Sequence, residues 1–388
     1  MKVKNLLALT ASVLLTHGLL GFETENITPQ GSFSNARLAF EKKNVGRVAF
    51  MGGSITEMNG YRPMVAKWLE ERFPKTKFEF INAGISSTCS TTGAFRLHRD
   101  VLDHGPIDLF FIEFAVNDDQ DAGHSKESCI RGMEGIIRQM HLKSPKTDLA
   151  VTYFVNPGML KQLQEEKTPL PMAAHERVLE KYGVSRVHLA RELAHQIKEG
   201  SFSGQKFGGT HPKEPGNRLC ADMHIEMLEK AWSGKNNEDL KKKKFPAKPI
   251  DGNSYFNGRF LSPAKASLAD GWKFSEPDWK SLPGGKRKRY LSRPLLHSET
   301  PGKPIRIKFE GQAIGAFVSA GPDAGILKFV IDGKHKGSVD LYHHYSRGLH
   351  YPRSVMFAHD LEPGSHEIEL SIKAGKRSAV RILEFCIN

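Results

Sequence analysis

The stretch VAFMGGSITEMNGYR, residues 48–62, begins as an apolar run and stops abruptly at two glycines and a serine. Residues 48–51 have the unbroken apolar character of a strand buried on both faces. Gly52 and Gly53 then present Ser54, and the amphipathic segment YRPMVAKWLEERF (61–73) follows. A buried strand, a glycine turn and a helix make up the first half of a strand–helix–strand unit. Two glycines are more than a simple turn requires, so the role of Ser54 must be read from the rest of the chain.

The same alternation continues in both directions. The apolar runs RVAFM, FEFIN, IDLFFIEFAV, LAVTYFV and VSRVHLA read as five buried parallel strands. Between them lie the amphipathic segments TGAFRLHRDVL, SKESCIRGMEGIIRQMHL and AAHERVLEKYG, and EPGNRLCADMHIEMLEKAW closes the unit. This pattern predicts an open α/β sheet with helices on both faces, whose functional groups gather at the carboxyl ends of the strands. After residue 233 the period changes. Residues 234–250, rich in lysine and ending in prolines, read as a basic linker. Residues 251–388 show two-residue alternation in IRIKF, AIGAFV, ILKFVIDGKHKGSVDL, SHEIELSI and AVRILEF, with Asp332-Gly333 as a hairpin signal. This half predicts an antiparallel, jelly-roll-like β-sandwich.

Bulk properties narrow the function classes. The chain has 388 residues, enough for two domains with real cores. Residues 1–21 combine Lys2 and Lys4 with an apolar stretch from Leu6 to Leu15, the layout of a secretory signal rather than a membrane anchor. The body is therefore expected over 22–233, in a secreted or periplasmic protein. Cys89, Cys129, Cys220 and Cys386 are too few and too scattered for a disulfide framework or a metal site. The net charge of +13 is concentrated in the linker and the β-half. That asymmetry fits an anionic glycan or membrane surface, or simple solubility; no nucleic-acid motif is present.

The strand ends carry the chemistry. The first delivers Ser54, the second Asn82-Ala83-Gly84 and the third Asn117, and His211 lies in the loop FGGTHPKEPGN before the last helix. A hydroxyl, glycine N–H groups, an amide and an imidazole at one edge are the parts of an acyl-transfer site.

GGSIT around Ser54, NAGIS around Gly84, AVND around Asn117 and THP around His211 resemble blocks I, II, III and V of the SGNH (GDSL-type) hydrolases, in the right order over residues 45–232. That resemblance implies a flavodoxin-like α/β/α sandwich with Ser54 as nucleophile and His211 as general base. The oxyanion hole would comprise the Ser54 and Gly84 N–H groups and the Asn117 side chain. It implies no metal and no organic cofactor.

Two positions depart from the family pattern. Gly53 stands where the namesake block has Asp, and Gly208 stands where the triad acid would lie, three residues before His211. Three readings stay open: a Ser–His dyad oriented by a backbone carbonyl, a substitute acid (Asp118, Asp119, Glu113 or one from the β-half), or a site that no longer turns over.

His175 reads either as a pocket-lining group or as a partly exposed residue at a helix start. Tyr345, Arg347, His350, Tyr351 and Arg353 form either a sugar- or acid-binding loop or an inter-domain contact, and Lys286–Arg289 reads as a solvated loop. The β-half resembles accessory modules of polysaccharide esterases. The expected activity is removal of an acyl group, acetyl first, from a neutral or anionic oligo- or polysaccharide. The competing expectations are an inactive SGNH-fold glycan-binding protein working through its basic β-domain, and a lipid esterase, against which stands the lack of a long apolar lid.

Overall fold

The computed structural model describes residues 21–234, 242 and 244–388. The leader expected over 1–21 lies outside the described residues except for Gly21, as does most of the lysine run at 235–243. Among the described residues, no helix is long and apolar enough to cross a membrane.

The N-terminal sheet is built from β1 (Ile27–Thr28), β2 (Val45–Gly52), β3 (Lys77–Gly84), β4 (Leu109–Ile112), β5 (Asp148–Thr152) and β6 (Ser185–Val187), in the order β1-β6-β5-β4-β2-β3. β2 to β6 are the five parallel strands read from the apolar runs. β1 makes a sixth, antiparallel to β6 over only two residues, Ile27↔Val187 and Thr28↔Arg186. Two residues carry no periodicity, so this edge strand leaves no sequence signal. Asn26, the first residue of a possible glycosylation sequon, is buried and donates to Glu192 Oε2 at 3.0 Å.

The order of the parallel strands is that of a doubly wound, flavodoxin-like sheet. Its direction of winding reverses between β2 and β4, and the crevice beyond the carboxyl ends at such a reversal is where ligands bind. The central strands are buried on both faces, and Phe50 on β2 stacks on Phe111 on β4 at 5.0 Å. The run IDLFFIEFAV is shorter as a strand than its composition predicts. Pairing stops at Ile112, and Asn117–Asp121 is already a helical turn.

The C-terminal half comprises β7 (Arg259–Leu261), β8 (Lys273–Ser275), β9 (Leu295–Ser298), β10 (Ile305–Gly311), β11 (Ile314–Ala320), β12 (Ile326–Ile331), β13 (His335–Asp340), β14 (Tyr351–Ala358), β15 (Gly364–Ile372) and β16 (Val380–Ile387). One sheet runs β14-β11-β16-β9-β8, with β7 also pairing β16, and the other runs β10-β15-β12-β13. Asp332 and Gly333 both have positive φ, 50° and 69°, in the β12–β13 hairpin that their sequence announces.

β14 occupies part of the segment expected as a loop. Pro352 breaks the strand signal there, but proline is tolerated on an edge strand, and β14 is one.

The sheet containing β11 and β16 is covered on both sides. Ile314, Ala316 and Val318 face the sandwich core, while Ala313, Phe317, Leu383 and Cys386 join the apolar core of the α/β body. The end of the expected linker is likewise packed down. Ile250 and Asp251 N–H donate to Glu134 at 2.6 and 3.0 Å, and Gln139 reaches the Tyr255 carbonyl at 2.7 Å. All four cysteines are free and buried.

Candidate active site

Ser54 opens a single helical turn, Ser54–Glu57, directly beyond the carboxyl end of β2. The two preceding glycines are needed for space. A β-carbon on Gly52 would stand 2.1 Å from Glu113 Oε1, and one on Gly53 would stand 2.1 Å from Asn117 Oδ1. An aspartate at 53, as in the namesake block, would therefore displace Asn117. Neither glycine has positive φ.

His211 Nε2 lies 2.7 Å from Ser54 Oγ, so the serine hydroxyl can donate to the imidazole. The histidine loop is tied down around it. Lys213 N–H donates to the Phe207 carbonyl at 2.7 Å, and Asn217 Nδ2 donates to the carbonyls of Pro212 and Lys213 at 2.8 and 3.0 Å. Asn217 Oδ1 accepts from Tyr61 N–H at 2.9 Å, which links this loop to the helix that follows Ser54.

The candidate acids serve other partners. Asp118 accepts from Ser90 N–H and Oγ, each at 2.7 Å, and pairs with His175 Nε2 at 2.9 Å. Asp119 accepts from Asn156 at 2.7 Å. Glu113 Oε1 accepts from Gly53 N–H at 2.9 Å and Thr56 Oγ1 at 2.8 Å. Burial pushes the Glu113 carboxyl up to about 7 against the pull of those hydrogen bonds. Among the described residues no carboxylate is hydrogen-bonded to His211. His175 is fully buried behind Asp118 rather than exposed or lining a cleft.

Three groups were expected to hold an oxyanion, and they differ in availability. Ser54 N–H heads a helical turn and so has no intrahelical acceptor. Asn117 uses one N–H on Asp121 Oδ2 at 2.8 Å, and its second N–H remains. Gly84 N–H is taken by Asn82 Oδ1 at 3.0 Å, and Gly84 itself packs against the backbone of Thr56 and Glu57.

One residue essential to this edge has no motif to announce it. Arg96 is fully buried, and its guanidinium donates to the carbonyls of Ala83 at 2.6 Å and Gly52 at 2.8 Å. It thus ties together the carboxyl ends of β2 and β3, the two strands that lead to Ser54 and Gly84. Only its place on an otherwise apolar helical face, in TGAFRLHRD, hints at this.

The β-half reaches the same edge. Arg287 donates to Ser87 Oγ at 2.8 Å, and Arg289 pairs with Glu57 at 2.8 Å, so the basic run 286–289 is an inter-domain contact rather than a solvated loop. In the candidate sugar loop, His350 is buried and bonded to the Pro283 carbonyl at 3.0 Å, and Tyr351 donates to Asp121 Oδ1 at 2.6 Å. Only Tyr345 of the aromatic pair is exposed. A cavity of about 290 Å³ opens between the halves, lined by Ser87, Thr91, Asp121, Arg131, Tyr351 and Arg353 among others.

Beside this cavity, Asp118 stands close enough to share an ion in two separate groups, one with Cys89 and His124 and the other with Cys129 and His175. Asp118 already accepts three hydrogen bonds, however. Although burial opposes its charge, the His124 and His175 imidazoles hold the carboxyl well below its ordinary range. The cluster reads as a hydrogen-bonded and ion-paired network centred on Asp118, in which His175 Nδ1 is left buried without a hydrogen-bond partner.

Residues 50–219 match the GDSL-like Lipase/Acylhydrolase family. No curated protein sequence matches the chain. Among solved structures, a two-domain esterase (CEX) active on acetylated mannans, co-crystallised with mannopentaose, has TM-score 0.76 at 19% identity, covering 94% of this chain and 98% of that one. A second crystal structure of a two-domain esterase (CEX) active on acetylated mannans gives TM-score 0.73 at 19% identity with the same coverage. At that identity the likeness is one of fold, and it extends over both halves.

Proposed function

We propose that this chain is an exported carbohydrate O-acetyl esterase with Ser54 as nucleophile and His211 as general base, a reading supported by the match of residues 50–219 to the GDSL-like Lipase/Acylhydrolase family. The observation that carries the reading is the 2.7 Å approach of His211 Nε2 to Ser54 Oγ at the carboxyl edge of a doubly wound sheet. The likeness of both halves to an esterase active on acetylated mannans supports an acetylated oligo- or polysaccharide as substrate. The apolar leader supports export.

In this mechanism Ser54 Oγ attacks the acetyl carbonyl carbon while its proton passes to His211 Nε2. The tetrahedral oxyanion is held by Ser54 N–H and the free N–H of Asn117, with the start of the helical turn turned toward the negative charge. Collapse breaks the bond to the sugar oxygen, which takes the proton from His211. Water then repeats the sequence on the acetyl-enzyme, releasing acetate and restoring the serine.

The test is acetate release from acetylated mannan, alongside hydrolysis of p-nitrophenyl acetate, by wild type, Ser54→Ala and His211→Ala. Loss of both activities in both variants supports the reading. A wild type no faster than the variants on either substrate overturns it and favours the second reading, an inactive glycan-binding protein. One observation speaks for that alternative: no carboxylate is hydrogen-bonded to His211 among the described residues.

A further inference from the structure

Asn117 is held through one end only. Its Oδ1 is buried with no hydrogen-bond partner, and its Nδ2 donates to Asp121 Oδ2 at 2.8 Å. A carboxylate accepts and does not donate, so facing Asp121 decides which end of the amide carries the N–H groups at this place. One N–H is spent on Asp121 and the other is left for the oxyanion. The position of that donor is therefore set by the position of Asp121.

Asp121, in turn, is fixed from outside its own domain. Tyr351 Oη donates to its Oδ1 at 2.6 Å; apart from Asn117 itself, the body offers Gln120 Nε2, at 3.4 Å from Oδ2. Tyr351 begins β14, is registered opposite Ala320 on β11, and stacks on His343 at 4.6 Å with ring planes 9° apart. Its ring is thus rigid and its hydroxyl is aimed by the β-sandwich. Tyr351, Asp121 and Asn117 are all buried, although Asp121 and Tyr351 also border the cavity between the halves.

We propose that Tyr351 is a positioning residue for the oxyanion donor: through Asp121 it fixes the Asn117 amide, so the β-sandwich completes the active site of the α/β domain. The proposal rests on the ester-hydrolase reading above. It assigns the β-domain a role in turnover that is separate from any binding of glycan.

The test is a double-mutant cycle on p-nitrophenyl acetate with Tyr351→Phe, Asn117→Ala and the pair, read as separate kcat and KM. Tyr351→Phe keeps the ring and its stacking and removes only the hydroxyl. Loss of an oxyanion donor costs roughly 10²–10³ in kcat, and a donor left in place but loosened is expected to lose about tenfold, with KM within about twofold. In the Asn117→Ala background the same change should alter kcat by less than about twofold, since the group being positioned is gone. A Tyr351→Phe enzyme as fast as wild type overturns the relay, even if it melts at a lower temperature. Equal losses in both backgrounds overturn it as well. If wild type is no faster than Ser54→Ala, the esterase reading falls and takes this proposal with it, an outcome distinct from an active wild type matched by Tyr351→Phe.

Discussion

Gly208 stands three residues before His211 with φ of +107°, and a β-carbon on it would lie 2.9 Å from the His211 carbonyl oxygen and 3.0 Å from the Lys213 nitrogen. The turn that presents the histidine is therefore one that a side chain at 208 would distort.

This relationship makes the missing acid a consequence of the loop. With ψ of −151°, the Gly208 backbone lies in a region essentially restricted to glycine, where other residues cost about 1–3 kcal/mol. Gly208→Asp is expected to lower stability by that order and to leave kcat on p-nitrophenyl acetate no higher than wild type. Urea denaturation and steady-state kinetics on the same preparation check both halves. A variant that gains tenfold or more in kcat would show that the loop can adopt the Asp-x-x-His geometry after all.

Arg96 supplies a second prediction. Its guanidinium serves two strand-end carbonyls, Thr88 Oγ1 at 3.2 Å and Asp100 at 3.1 Å, all from a fully buried site. Removing one partner of such a network leaves the others desolvated and unpaired, at about 3–5 kcal/mol. Arg96→Met preserves much of the volume, so the loss reports on hydrogen bonds rather than on a cavity. Equilibrium unfolding should fall by that amount, and kcat should fall as well, since Ser54 stands two residues beyond Gly52. Unchanged kcat in a folded variant would separate the strand ends from catalysis.

What could be read in the sequence divides along physical lines. The five parallel strands were legible because strands buried on both faces write continuous apolar runs, and the placing of Ser54, Gly84 and Asn117 beside strand ends and of His211 before the last helix was legible from short motifs. Whether each group is free for its expected role was not legible. Gly84 N–H is engaged by Asn82 Oδ1, a contact that depends on one side-chain rotamer. The buried bonds of Arg96 to Gly52 and of Tyr351 to Asp121 were hidden for a related reason: they join residues 44 and 230 positions apart, and Tyr351 could be read only as part of a sugar-binding loop or an inter-domain contact. The inter-domain role of Arg287 and Arg289 was hidden because a basic run looks the same whether it faces solvent or a partner.

Glu113 predicts a pH dependence of stability. Its carboxyl titrates at about 7 in the folded protein against an ordinary 4.5, because burial outweighs the hydrogen bonds from Thr56 and Gly53. The folded state thus binds more protons than the unfolded chain between those values. Stability from this group is fully present below about 4.5, is lost as pH rises to about 7, and stays lost above, a change of roughly 3 kcal/mol. Glu113→Gln cannot ionise, so its stability relative to wild type should improve by about 2–3 kcal/mol between pH 5 and pH 8. The difference between the two pH values is the readout. The Gln amide would itself be left without an acceptor near the unpartnered Oε2 position, a cost common to both. Parallel stability curves for the two proteins would remove Glu113 as the source.

The last prediction concerns whether the halves are separable. A β-domain on a free linker could be deleted without harm, but here Trp279, Tyr290, Leu295, Phe317 and Leu383 belong to the same apolar core as Phe95 and Tyr255. Phe95 and Tyr255 pack at 4.8 Å, so even residues just past the linker line the body. Ending the chain at residue 250 would expose this face and remove the partners of Asp121, Ser87 and Glu57 together. The truncated body is expected to aggregate or bind a hydrophobic dye, and the full chain to unfold in one calorimetric transition. Phe317→Ala should lower that single transition by about 3–5 kcal/mol of stability, because a large buried side chain is lost from the shared layer. Two separate transitions, with only the later one moved by Phe317→Ala, would mean that the halves fold independently. In that case Tyr351 could not hold Asp121 any longer than the docking of the β-sandwich lasts.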